Sequence, residues 1–298
     1  MIFAVIGGDG RSAYLRPLLL HGGHEVREYA LQRADEISGS YRAASVIEAA
    51  SGADCVILPL PLTGDGGALN ALLDDRSIPL EEVWAGIRPG TLVCAGLVSE
   101  RDLDSARGFG HELIDYYQRE ELTVSNAVAT TEGALSLVMS ETPATLWRSR
   151  ALVIGFGRIG KLLAHRLRGL CAEVSVSARS HADFAWINAY GYKALDTRSL
   201  SGELGDFDIV LNTVPALILN ETLLCELKPG VLCVDLASKP GGIDFSAASA
   251  AGVRAIWALG LPGETAPLSS AGFILDAVYN ILDEKQSSTK KGAENLET

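Results

Sequence analysis

Apolar residues along this chain fall into two patterns that alternate from one end to the other: short unbroken runs, and longer segments in which apolar positions recur every three or four residues. The runs at 3–6, 25–29, 55–58, 92–95 and 112–115 read as strands, and the periodic segments near 13–20, 43–50, 68–73 and 100–107 as helices. Such alternation predicts a parallel sheet with helices on both faces, because parallel neighbours need a crossover and a helix supplies it. An apolar, helix-like bridge follows at 129–142, and the plan then repeats with strands at 151–154, 174–178, 209–213, 231–235 and 254–258 and a periodic helix at 269–282. The expected fold is therefore α/β, with two doubly wound parallel-sheet domains. An N-terminal substrate and catalytic domain at 1–128 is joined by the bridging helix to a Rossmann dinucleotide-binding domain at 143–268. A C-terminal helix at 269–284 is expected to return toward the first domain, placing the active site in the interdomain cleft, and the polar stretch 285–298 to be a disordered tail.

The second half opens on the chemistry-bearing motif. A β-branched run ends in Gly155-Phe156-Gly157-Arg158-Ile159-Gly160 and passes into an amphipathic segment. Strand, tight turn and helix are the context in which G-x-G-x-x-G binds a dinucleotide. Gly155 makes the turn, Gly157 lets the backbone approach a pyrophosphate, and Gly160 lets helix and strand pack closely. The helix N-terminus then offers N–H groups and partial positive charge to the phosphates. At the end of the next strand an NAD site places a carboxylate for the ribose 2′-hydroxyl. Here Ser177, Ala178, Arg179 and Ser180 stand there, with no acid until Asp183. The Arg179 fork suits a 2′-phosphate, so NADP is favoured, with NAD held by other contacts as the alternative. Strand order puts Thr213, Val214 and Pro215 beside the adenosine and ribose, Asp235, Ala237 and Ser238 near the nicotinamide, and Pro262 over its ring.

Composition narrows the remaining classes. A net charge of −12 argues against a nucleic-acid footprint, and no apolar run is long enough to span a membrane. The first residues read as a strand and lack the basic start of a signal peptide, so a cytoplasmic protein is expected. The five cysteines are scattered without C-x-x-C spacing and read as reduced, buried thiols. The five histidines (His21, His24, His111, His165, His181) show no metal-ligand spacing, and no metal site is expected.

Several segments, taken in order, resemble the family of the dipicolinate synthase A subunit over nearly the whole length. They are Gly7-Gly8-Asp9-x-Arg11, Leu58-Pro59-Leu60-Pro61, Asn126-Ala127-Val128-Ala129-Thr130-Thr131-Glu132-Gly133-Ala134 and the Gly155–Gly160 turn. To these are added Asp208-Ile209-Val210-Leu211-Asn212-Thr213-Val214-Pro215, Asp235-Leu236-Ala237-Ser238-Lys239-Pro240-Gly241-Gly242-Ile243-Asp244, and Gly260-Leu261-Pro262-Gly263-Glu264-Thr265-Ala266-Pro267. Glu264 departs from the resemblance, since similar sequences more often carry a basic residue there. The resemblance implies oxidation of a dihydrodipicolinate-type intermediate from the lysine branch to dipicolinate. It further implies, as partner, the flavoprotein-like B subunit of dipicolinate synthase and, as setting, the mother cell of a sporulating bacterium.

Two architectures of the same plan compete. D-2-hydroxyacid dehydrogenases use a histidine late in the dinucleotide domain, whereas this chain has none after His181. Alanine dehydrogenase uses a lysine of its first domain, whereas the first lysine here is Lys161. Aromatisation asks mainly for positioning of a dicarboxylate against the cofactor. Arg11, at the carboxyl end of the first strand, is the candidate for one carboxylate, and Lys239 for the other or for a cofactor phosphate. Asp9 and Glu132 are candidate proton acceptors, with Gly8, Thr130, Thr131 and Ser238 as further substrate contacts. The plainer alternatives are an Arg11–Asp9 ion pair and helix caps at Asp9 and at 130–132. An oligomer is expected, and an NADP-binding subunit without catalysis of its own remains a further alternative.

Overall fold

The computed structural model describes residues 1–64 and 66–294, the last six by backbone alone. The chain divides into two compact units, Met1–Asn126 with the segment from Ala266 onward, and Ala127–Thr265.

The first unit runs β1 (Ile2–Ile6), α1 (Gly10–His21), β2 (Glu25–Tyr29), β3 (Ser40–Arg42), α2 (Val46–Ala50), β4 (Cys55–Ile57), α3 (Leu80–Gly86), β5 (Leu92–Ala95), α4 (Glu100–Gly108) and β6 (Leu113–Asp115). All strands are parallel, in the order β3-β2-β1-β4-β5-β6. Alternate residues of β1 serve opposite cores, as a sheet covered on both faces requires. Ala4 and Ile6 pack with Val46, Val83 and Trp84 of α2 and α3, while Phe3 and Val5 pack with Leu15 and Leu19 of α1 and with Ile274 and Val278. The last two lie on the C-terminal helix, which therefore belongs to this unit.

Helix α5 (Glu120–Glu141) contains the division between the units. The second unit continues β7 (Arg150–Ile154), α6 (Arg158–Gly169), β8 (Glu173–Ala178), α7 (His181–Ala189), β9 (Lys193–Asp196), β10 (Ile209–Asn212), α8 (Glu221–Leu224), β11 (Leu232–Asp235), α9 (Phe245–Ala250), β12 (Arg254–Trp257) and α10 (Leu261–Thr265), before α11 (Pro267–Glu294). Its parallel strands stand in the order β12-β11-β10-β7-β8-β9. Counted within each unit, both sheets have the order 3-2-1-4-5-6 of the dinucleotide-binding fold, with the switch point beside the first strand.

Beyond short elements that no apolar run marks, such as β3 and β9, the structure departs from the sequence expectations in four places. The helix expected at 68–73 is a loop: Gly66 and Gly67 take positive φ, Leu69 N–H bonds Ile78 O at 2.9 Å and Asn70 N–H bonds Leu62 O at 2.9 Å. Leu69 is buried in the sheet core instead of on a helix face. The bridging helix starts at Glu120 rather than 129, because Leu122 is buried while its polar neighbours face water. The tail expected to be disordered from 285 is helical to Glu294, and its first residue is held by Lys285 Nζ to Glu112 at 2.6 Å; the part of that tail at 295–298 lies outside the described residues. Cys171 and Cys225 are exposed, whereas Cys55, Cys94 and Cys233 are buried as expected, and all five are free thiols.

Candidate functional site

The glycines after β7 differ in what a side chain at each would meet. Gly155 has φ +100°, and a Cβ there would lie 2.4 Å from Thr213 Oγ1. At Gly160 a Cβ would lie 2.1 Å from the carbonyl oxygen of Gly155, so strand end and helix touch backbone to backbone. Around Gly157 there is nothing within 4 Å. Gly157 is also the N-cap of α6 and, as a glycine, brings no side chain of its own to cap that end. The first turn of α6 thus has open space over its capping glycine, as close approach of a pyrophosphate to a helix N-terminus requires. Phe156 is buried, with Lys161 Nζ 5.3 Å from its ring centre; Arg158 is exposed and Ile159 half-buried.

At the end of β8, Ser177 is fully buried and accepts from Thr197 Oγ1 at 2.9 Å, so its side chain serves the packing of β8 on β9. Arg179 is exposed, with no ion pair among the described residues. Ser180 caps α7 and holds Asp183, donating to Asp183 Oδ2 at 2.7 Å. An acid absent from the sequence reading stands one strand over. Asp196, paired in register with Ala178, accepts from Arg198 Nε at 2.9 Å and Nη2 at 2.7 Å. Those hydrogen bonds from Arg198 hold the Asp196 carboxyl down at about 2.

At the ends of β10 and β11 the register partners Asn212 and Asp235 are both fully buried and bonded at 2.8 Å. Asp235 also accepts from Ala237 N at 3.1 Å and Gly242 N at 2.7 Å, and Asn212 ties Val214 N and O. The pair shapes both loops from within, and both Asp235 carboxylate oxygens accept from its own loop or from Asn212. Asn212 was not singled out from the sequence as a site residue; the signal is a polar residue closing each of two adjacent apolar strands. The turn it anchors leaves Ser238 and Lys239 exposed, Lys239 without an ion pair among the described residues. Thr213 donates to Ile154 O at 2.9 Å and backs the glycine turn, Val214 is half-buried, Pro215 is exposed, Ala237 is buried, and Pro262 is buried on α10.

In the first unit the turn after β1 is filled by its own side chains. Gly7 and Gly8 have positive φ, and a Cβ on Gly8 would lie 2.0 Å from Ser12 Oγ. Asp9 caps α1 and grips Arg11, taking its N–H at 2.9 Å, Nε at 3.0 Å and Nη2 at 2.7 Å; Nη2 also donates to Leu60 O. The ion pair weighed from the sequence is therefore present. On α5, Thr130, Thr131 and Glu132 sit mid-helix, not at a helix start, because α5 begins at Glu120. Thr131 Oγ1 bonds Ala127 O at 2.7 Å, and Glu132 is 61% exposed and pairs with Arg166 at 3.3 Å. No buried base is available at that position.

Among the described residues there is no cluster of His, Cys, Asp and Glu able to hold a metal ion, and no helix long and apolar enough to cross a membrane.

Residues 2–117 match the family described as the N-terminal domain of the dipicolinate synthase A subunit. Over 290 residues the chain is 30% identical to the A subunit of dipicolinate synthase of Bacillus subtilis (strain 168), covering 97% of this chain and 98% of that protein. It is similar to the crystal structure of the same A subunit from Bacillus subtilis, with a TM-score of 0.85 at 29% identity over 97% of each chain. The crystal structure of the A subunit from Bacillus halodurans gives 0.85 at 26% identity, over 94% of this chain and 97% of that one. A transhydrogenase from Sinorhizobium meliloti shares the fold, with a TM-score of 0.70 at 18% identity over 96% of this chain and 94% of that one.

Proposed function

The chain belongs to the family of the dipicolinate synthase A subunit, and from that premise we propose that it oxidises a dihydrodipicolinate-type intermediate of the lysine branch to dipicolinate with NADP⁺. In this reading it acts with the flavoprotein-like B subunit in the mother-cell cytoplasm of a sporulating bacterium. The observation that carries the reading is the α6 turn, where a Cβ on Gly157, the N-cap of the helix, would meet open space. When bound, NADP⁺ supplies the hydride acceptor. The protein's part is to bind and orient: α6 takes the pyrophosphate and Arg179 the 2′-phosphate. The loop fixed by Asn212 and Asp235 presents Ser238 and Lys239. Arg11 is assigned one substrate carboxylate, through the guanidinium nitrogen that Asp9 and Leu60 leave unused, and Lys239 the other or a cofactor phosphate. Loss of a hydride and a proton leaves an aromatic ring, so the site needs orientation more than a strong base.

The test is an absorbance assay with NADP⁺ and freshly generated dihydrodipicolinate precursor, with and without a homologue of the B subunit. Dipicolinate formed with matching NADPH supports the proposal. Dipicolinate that requires the partner and appears without NADPH overturns it, and favours the second reading of an NADP-binding subunit without catalysis. That second reading has one observation behind it: both candidate proton acceptors are engaged, Asp9 by Arg11 and Glu132 by Arg166.

A further inference from the structure

One short motif recurs three times with the same geometry. In Asp9-Gly10-Arg11, Asp74-Asp75-Arg76 and Asp196-Thr197-Arg198 the arginine N–H bonds Oδ1 at 2.9, 3.0 and 2.9 Å. Nε bonds the same oxygen at 3.0, 3.0 and 2.9 Å, and Nη2 bonds Oδ2 at 2.7, 2.9 and 2.7 Å. Three bonds to one carboxylate fix the guanidinium plane and leave Nη1 pointing away from the acid. What Nη1 meets differs. In Arg76 it donates to Tyr29 OH at 3.2 Å, and the guanidinium lies over that ring at 5.0 Å, so this copy is internal bracing. In Arg198 Nη1 has no hydrogen bond among the described residues, and the side chain is 61% exposed.

The location gives the free nitrogen a meaning. Asp196 is the register partner of Ala178, and Thr197 N–H bonds Ala178 O at 2.9 Å, so Asp196 and Thr197 lie beside Ala178, the residue before Arg179. Strand order places the adenosine ribose at that strand end. A free carboxylate there would take ribose hydroxyls and repel a phosphate. Asp196 is not free, because both its oxygens are occupied by Arg198. We propose that Arg198, held in place by Asp196, is a second cation for the 2′-phosphate and determines cofactor choice together with Arg179. This rests on the NADP reading above and extends it to a residue on the neighbouring strand, with Asp196 as a positioning residue.

The experiment is calorimetric titration of the full chain with adenosine 2′,5′-bisphosphate and with 5′-AMP, in wild type, R198A, R198Q and R76A. Neither probe reports on catalysis. Loss of one charged hydrogen-bond donor weakens bisphosphate binding about tenfold in R198A and R198Q, while 5′-AMP binding does not weaken. R76A, whose Nη1 is already engaged, leaves both unchanged. R198Q keeps a donor toward Asp196 and so keeps the test open if R198A fails to fold. If the wild type separates the two probes and both Arg198 variants separate them equally well, this inference alone falls. If the wild type does not separate them, the NADP reading falls and takes the inference with it.

Discussion

Strands β1 and β7 each stand third from one edge of a 3-2-1-4-5-6 sheet, and each leads through glycines into a helix. The turn after β1 nevertheless closes on its own side chains, while the turn after β7 stays open. After β1, Ser12 fills the space over Gly8, Asp9 caps α1, and Arg11 bonds both Asp9 and Leu60 O. After β7, the N-cap of α6 is a glycine, and a Cβ there would meet nothing within 4 Å. The helices differ in the same sense. Arg16 of α1 is buried against Glu28, which also receives Arg42 and Ser40. The corresponding cations of α6 lie nearer the surface, Arg166 on Glu132 and Arg168 on the carbonyl of Tyr190. Identical topology thus supports one turn packed by its own charged side chains and one left open at its capping glycine.

Substitutions can break this contrast, beginning with the largest effect. Gly160→Ala places a Cβ against an immovable backbone oxygen, and thermal melting should show a loss of about 3 kcal/mol or more; a melt like wild type would remove the close-packing account of the turn. Glu28→Gln leaves the buried Arg16 charge short of its partner and should cost about 3 kcal/mol at neutral pH. Burial pushes the Glu28 carboxyl up, but hydrogen bonds from Arg16, Arg42 and Ser40 outweigh it, and the net direction is down. A lowered folded-state pKa stabilises above the ordinary carboxylate range and is lost as pH falls through the folded value. Wild type should therefore lose its advantage over Glu28→Gln on acidification, and a gap between their melts that does not narrow as pH falls would exclude this linkage.

The next two sharpen the contrast by function. Arg11→Ala should lower kcat/KM about a hundredfold with dinucleotide affinity unchanged, as for a charged group lost from substrate alone; a parallel loss of cofactor binding would show that the β1 turn is not reserved for substrate. Gly157→Ala adds a methyl to open space, so melting should be unaltered while dinucleotide binding by fluorescence weakens about tenfold. Unchanged binding would mean that the opening is not where the pyrophosphate sits.

Much of the architecture is legible in the residues, because strands covered on both faces read as apolar runs and G-x-G-x-x-G marks its own turn. What escapes is short or depends on distant partners. Strands β3 and β9 hold three and four residues with half-exposed sequences, Ser40–Arg42 and Lys193–Asp196, which carry no run to notice. The start of α5 is polar and resembles a loop until Leu122 is seen to be buried. At the site, side-chain chemistry was readable but its direction was not. Ser177, Thr213 and Asp235 are of the types a cofactor contacts, yet their hydrogen bonds run to Thr197, to Ile154 O and to Asn212. Local sequence also conceals Asp196, since its nearness to residue 178 is a matter of strand pairing.

Under the proposed assignment of the 2′-phosphate, the Asp196–Arg198 clamp bears on how easily coenzyme choice could change. Removing the arginine would do more than delete a phosphate ligand. It would uncover an acid already standing at the strand end where a ribose hydroxyl seeks an acceptor. On that assignment, preference for the unphosphorylated dinucleotide is latent in the fold, one substitution from expression.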